Sequence, residues 1–262
     1  MPITRFVTTA PLPPTCLFAC VHKGASSFVT QVIAPIAVTL YPGLEHREIG
    51  ALFNAGRTEA LVLPPRGVVA TRIYPKHYDR LADAPPAPAT RLGDKRIVLV
   101  RRDPRDVAVS MYYSTAFSHP VPAIDTANFL RRRRALIAWG PQEGIRRDTA
   151  AASIEEFRAA LRFRDAHADV LDAPYEQLVA DPVAWLRRVT RHVGWPERLA
   201  EAVAPVIRRA VAPPARPDER SHKRRVTPGA WREEFDEELV ERFDREIGAD
   251  LASAGYEAGA TV

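Results

Sequence analysis

Cysteine is scarce in this chain: two in 262 residues, Cys16 and Cys20. They fall four apart on one predicted strand, roughly 13 Å at about 3.3 Å per residue, which excludes a disulfide between them. No metal-ligand cluster accompanies either, so both read as small core hydrophobes. Long apolar runs are missing too, and none nears the ~18 uninterrupted residues of a membrane span. The N-terminal stretch has Arg5 followed by Pro11, Pro13 and Pro14 and lacks a signal peptide's apolar centre. A cytoplasmic location is expected. Internal repeats are absent.

What is present fits a soluble α/β protein. Apolar residues make up 46% and charged residues 26%, the balance of a globular chain. Its length suits one substantial domain, and 1–262 reads as a single one. The net charge of +5 suits an anionic partner without selecting one.

The richest stretch is Cys16-Leu17-Phe18-Ala19-Cys20-Val21-His22-Lys23-Gly24-Ala25-Ser26-Ser27-Phe28. Its apolar start predicts a buried parallel strand, and the spacing then turns helical from Ser26 to about Leu40, with Pro35 expected to kink it. A strand, a small-residue turn and a helix form an anion cradle, because unpaired N–H groups at the helix start face the ligand. Lys23 adds charge, while Ser26 and Ser27 add hydroxyl donors.

Further along, Glu45 to Phe53 reads as a short helix, and Val68–Ile73 and Arg96–Arg101 as buried strands. Asp103-Pro104 marks a capped helix running to about Tyr113. Residues 116–150 read as irregular, with Arg131 to Arg134 on a solvated face. Ser153-Ile154-Glu155-Glu156 reads as a capping box, 168–172 as a strand, and Asp181-Pro182 as a helix start. Proline-containing loops are expected near 83–95 and 213–229. The final helix carries Phe235, Leu239, Phe243, Ile247 and Leu251 on one stripe, expected to pack on the sheet. The whole predicts a three-layer α/β fold with a mostly parallel sheet, whose ligands bind at the strands' carboxyl ends.

Two later segments extend the cradle. Arg102 stands at a strand end, with Ser110 about two turns along the next helix; together they form a candidate second phosphate site. His222-Lys223-Arg224-Arg225, closed by Gly229 and Trp231, is a basic loop able to fold over a polyanion.

These segments resemble the sulfotransferases that use 3′-phosphoadenosine 5′-phosphosulfate (PAPS). Lys23-Gly24-Ala25-Ser26-Ser27-Phe28 is similar to that family's Pro-Lys-Ser-Gly-Thr-Thr-Trp loop. Arg102-Asp103-Pro104-Arg105-Asp106-Val107-Ala108-Val109-Ser110 matches its Arg-Asn/Asp-Pro-x-Asp-x-x-x-Ser segment. Tyr175-Glu176-Gln177-Leu178 is similar to Tyr-Glu-Asp-Leu, and Arg224-Arg225-Val226-Thr227-Pro228-Gly229-Ala230-Trp231 to Arg-Lys-Gly-x-x-Gly-Asp-Trp.

The resemblance implies a P-loop-like fold and metal-independent sulfuryl transfer to a hydroxyl, less readily an amine. Lys23 would stabilise the leaving phosphate, with Gly24, Ala25, Ser26 and Ser27 around the 5′-phosphate and Phe28 near the adenine. Arg102, Ser110, Arg224 and Arg225 would hold the 3′-phosphate, and Tyr175 the base. Ala25, Val226 and Ala230 depart from the pattern, replacing two glycines and an aspartate.

A general base must take the acceptor's proton. The family's Lys-Thr-His pattern reads Ala70-Thr71-Arg72 here, which leaves Glu45 and His77 as candidates, then His46. The acceptor is expected to be a small hydroxylated molecule, with its pocket near Phe117 to Arg147 and with Phe129 and Trp139 as lining. Neither nucleic acid nor membrane is an expected partner.

Two alternatives fit less well. A P-loop kinase wants its lysine after the glycines and an acidic strand end, whereas Lys23 precedes them and Val98-Leu99-Val100 runs into Arg101. A nucleic-acid module usually interleaves aromatics with its basic patch, and no recognised motif of that kind is present.

Overall fold

The computed structural model describes residues 7, 11–57, 62–82 (backbone alone for 79–82), 95–214 and 225–257. Strands form where the apolar runs lie. β1 (Cys16–Cys20) is buried throughout; β2 (Glu45–Glu48) is partly exposed; β3 (Val68–Ile73) is buried except at Arg72. β4 (Arg96–Val100) is buried after its first residue, and β5 (Val170–Asp172) is half-buried. All pairings between them are parallel, in the order β2-β3-β1-β4-β5. The three inner strands are covered on both faces, which is why their sequences run apolar without alternation.

From β1 the chain crosses to the edge at β2, returns to β3, and then passes to β4 and β5 on the other side. With right-handed crossovers this reversal puts helices on both faces and opens a crevice at the carboxyl end of β1. The opening turn lies there.

Residue contacts divide the chain into two compact units, Met1–Arg101 with Ala159–Ala212, and Arg102–Arg158 with Pro213–Val262. The sheet belongs wholly to the first. In the second, Asp103 caps the helix Pro104–Tyr113 by accepting from the Arg105 N–H, and Pro104 stands at its first turn, as the sequence predicts. Leu239, Phe243, Ile247 and Leu251 of the helix Glu237–Ser253 are buried, while Phe235 precedes the helix.

Several expectations need correction. Glu45–Glu48 is a strand and the helix begins only at Ile49, because a polar edge strand lacks the apolar signature of an inner one. Residues 116–150 are mostly helical, led by Thr126–Gly144, which bends at Gly140 (φ 77°, ψ 177°) ahead of Pro141. Ser153 caps nothing: the helix starts at Ala150, and the buried Ser153 hydroxyl donates to the Ala150 carbonyl. Pro35 leaves the helical run 26–40 unbroken. A π turn over Val29–Ile33, closed by the Ala34 N–H on the Val29 carbonyl, takes up the proline ring. The loops expected at 83–95 and 213–229 lie outside the described residues over 83–94 and 215–224.

Candidate active site

The turn after β1 is built by close packing. The Gly24 N–H donates to the Val21 carbonyl (3.0 Å), and the Val21 N–H to the Val100 carbonyl of β4 (3.3 Å). A Cβ on Gly24 would lie 2.9 Å from the Val100 oxygen and 3.0 Å from the Val21 oxygen, so only glycine fits. On either side of it, Lys23 (φ 62°) and Ala25 (φ 68°) both take the left-handed conformation. Two such residues flanking one glycine mark a strained backbone held by its surroundings, a feature that clusters at functional sites. Ala25 then precedes the helical run, and its carbonyl accepts from the Val29 N–H at 3.1 Å. The family glycine that Ala25 replaces therefore has a physical reason in this backbone.

Neighbouring side chains brace the turn. The Tyr74 hydroxyl donates to Ser26 Oγ (3.1 Å), which leaves the Ser26 proton available to an anion. His22 stacks on Tyr74 with ring centres 4.2 Å apart, and half-buried Phe28 meets Trp185 edge-on at 6.2 Å.

His77 is fully buried, with 0% exposure. Its Nδ1 accepts the Tyr74 N–H (3.1 Å), and Phe53 lies 4.6 Å from its ring. Burial, aided by Lys76 and His22, pushes its pKa down to about 4. The neutral ring therefore carries its proton on Nε2 and anchors Tyr74, which in turn holds Ser26.

Glu45 is exposed at the amino end of β2, level with Val68 of β3. Its carboxylate is paired with Arg47 (2.7 and 2.8 Å), and those hydrogen bonds hold it below the usual carboxylate range. The turn lies at the opposite, carboxyl edge of the sheet. His46 is half-buried, with Nε2 2.9 Å from the Thr71 hydroxyl, and burial lowers its pKa.

Sequence reasoning passed over Glu48. It ends β2 opposite Thr71 of β3, on the same carboxyl edge as the turn. The sheet order puts β2 two strands, about 10 Å, from β1. Arg72 Nε lies 3.0 Å from Glu48 Oε1, and each side chain is about one-third exposed. Arg72 has φ 53°, beside a register shift in the β1–β3 pairing. That irregularity re-aims a strand-end side chain. Its signal in the sequence is position at a strand end, which a helical reading of Glu45 to Phe53 conceals.

In the second unit, Arg102 is 5% exposed and its Nη2 lies 3.7 Å from Asp106 Oδ2. Ser110 is half-buried along the same helix. Arg225 pairs with Glu233 through two contacts of 2.6 Å, the main cause of its raised pKa. Arg224 lies outside the described residues. Tyr175, in the first unit, is 8% exposed and its N–H donates to the Arg101 carbonyl at 2.8 Å.

Trp139 lines a cavity of about 400 Å³ together with Gln142, Glu143, Arg146, Glu233 and Glu234. Phe129 instead packs against Arg133 and His119. Of the four arginines expected on a solvated face, Arg131 binds Asn128, Arg132 binds Asp148, and Arg133 binds the Thr115 and His119 carbonyls. Among the described residues no group of three or more His, Cys, Asp or Glu could hold a metal ion, and no helix is long and apolar enough to cross a membrane.

Residues 87–255 match the sulfotransferase domain family. Mouse sulfotransferase SULT7A1 complexed with PAP is similar in structure at 16% identity and a TM-score of 0.56, covering 91% of this chain and 84% of that one. Retinol dehydratase in a complex with retinol and PAP has 17% identity and a TM-score of 0.49, covering 92% and 82%. No curated protein sequence matches the chain.

Proposed function

The chain belongs to the sulfotransferase family, and from that premise we propose that it moves a sulfuryl group from PAPS to the hydroxyl, less readily the amine, of a small molecule. The observation that carries the donor assignment is the turn after β1: strained, glycine-packed, at the sheet's reversal point and opening into a helix. When bound there, PAPS supplies a sulfuryl group activated by its phosphate leaving group.

The residues present fit such a ligand. Gly24 lets the turn fold tightly, helix-start N–H groups add donors, and Ser26, with Tyr74 on its lone pair, donates its proton outward. Phe28 and Tyr175 serve the adenine. Arg102, Ser110, Arg224 and Arg225 serve the 3′-phosphate, guanidinium forks matching phosphate oxygens two at a time. In this reading 1–262 acts as one functional domain, of which 87–255 is the stretch matched to the family.

Lys23 stabilises charge developing on the leaving phosphate, the place where a preorganised donor accelerates reaction most. For the acceptor's proton we favour Glu48 over the residues picked from sequence. Glu45 is at the wrong end of its strand, and His77 is buried with its lone pair already engaged. Arg72 orients Glu48 from the next strand. A cavity of about 400 Å³ beside Trp139 suits a small-molecule ligand.

Transfer of label from PAPS to a panel of phenols, alcohols and amines, run in chelator, tests this. Lys23→Ala should lower kcat by about 10²–10³, the scale of losing one oxyanion donor. Glu48→Gln should lower it by about 10²–10⁴ with donor affinity unchanged. Near-normal turnover by Lys23→Ala at saturating PAPS would refute the assignment.

A further inference from the structure

The Arg-x-x-x-Asp spacing of Arg102 and Asp106 has a use that the donor's own contacts do not explain. Asp106 is 1% exposed, in the first turn of the helix Pro104–Tyr113. Its Oδ2 accepts the Gly229 N–H at 2.8 Å, and its Oδ1 accepts the Trp231 N–H at 3.1 Å. Arg102 Nη2 approaches Oδ2 at 3.7 Å. A buried carboxylate thus accepts from two backbone donors of a segment more than 120 residues away in sequence, and faces a guanidinium that stands just ahead of its own helix.

The partner segment is shaped to meet it. Gly229 has φ 92°, which turns the chain so that both N–H groups reach the one carboxylate. Trp231 is 5% exposed, and the Arg105 guanidinium lies over its ring at 3.9 Å. Arg105 is itself gripped by Asp103 at 2.8–3.2 Å. Arg225 is four residues before Gly229, and the Asp106 charge contributes to holding it protonated, after its partner Glu233.

We propose that Asp106 is the positioning residue of the 3′-phosphate subsite: one buried carboxylate fixes both Arg102 and the loop that carries Arg225. It is an anion and touches no phosphate. Its effect runs through the two arginines, so discrimination for the 3′-phosphate depends on it while recognition of the 5′-phosphate does not. This rests on the PAPS reading above.

The test is calorimetric titration of the full chain with adenosine 3′,5′-bisphosphate (PAP) and, separately, adenosine 5′-phosphate. In Asp106→Asn the new amide faces an N–H it cannot accept. PAP should weaken by about thirtyfold or more, the scale of breaking a buried hydrogen-bonded charge pair. Adenosine 5′-phosphate should stay within about threefold, since its contacts lie elsewhere. Equal weakening of both nucleotides, or an unchanged PAP affinity, overturns the proposal.

If Asp106→Asn does not fold, Gly229→Ala decides. It strains the loop at φ 92°, with its Cβ 3.1 Å from Arg232 Nη1, and leaves the carboxylate in place. The same selective loss, smaller in size, is expected, and preserved discrimination overturns the proposal. Wild-type protein that binds both nucleotides equally would instead overturn the PAPS reading itself.

Discussion

Replacing His77 by asparagine should remove a block of acid sensitivity from the fold. The His77 ring is fully buried, and its pKa falls from the ordinary 6.5 to about 4. Between those values the unfolded chain binds a proton that the folded chain refuses. Stability from this group is therefore complete above pH 6.5 and is lost as pH falls through 4. A fall of that size corresponds to about 3 kcal/mol, a substantial part of a typical domain's stability. Asparagine keeps an oxygen near the place of Nδ1, able to accept the Tyr74 N–H, and does not titrate. Urea unfolding at pH 7.0 and pH 4.5 measures the effect. The wild type should lose about 2.4 kcal/mol more than His77→Asn between the two pH values, most of that total. An equal loss in the two proteins would show that His77 is protonated, or solvated, in the folded state.

Two further changes probe the backbone. Ala25→Gly relieves a left-handed alanine, worth about 1–2 kcal/mol, against a smaller loss of unfolded-state restriction. The melting temperature should rise by about 2–4 °C, and a fall would contradict the conformation assigned to the turn. Gly144→Ala should do the opposite. Its Cβ would lie 2.6 Å from Tyr112 Cε2 and 3.2 Å from Leu136 Cδ2, both buried, so overpacking should destabilise by about 1–3 kcal/mol in chemical denaturation.

The residues differ in how far sequence alone exposes them. β1, β3 and β4 announce themselves because strands covered on both faces must be apolar throughout. Asp103-Pro104 and Asp181-Pro182 announce helices because the cap and the proline are local chemistry; both aspartates accept backbone N–H groups as expected. Glu45–Glu48 gives no such signal. An edge strand needs one partner and tolerates charge, so its pattern passes for helix and Glu48 is hidden at its end. Gly140 and Pro141 disguise Thr126–Gly144, a helix that bends where they fall. Asp106 is the extreme case. Its type and spacing are visible, but its role depends on Gly229 and Trp231, which only the folded chain brings to it.

On the reading proposed above, the chain binds a nucleotide that carries a 5′-phosphosulfate and a 3′-phosphate. The most direct measurement is the affinity of the wild-type chain for PAP in the presence of a chelator. Binding at least about tenfold tighter than for adenosine 5′-phosphate, a difference of about 1.4 kcal/mol for the second phosphate, is expected without any metal. No binding, or binding that ignores the 3′-phosphate, would contradict the account.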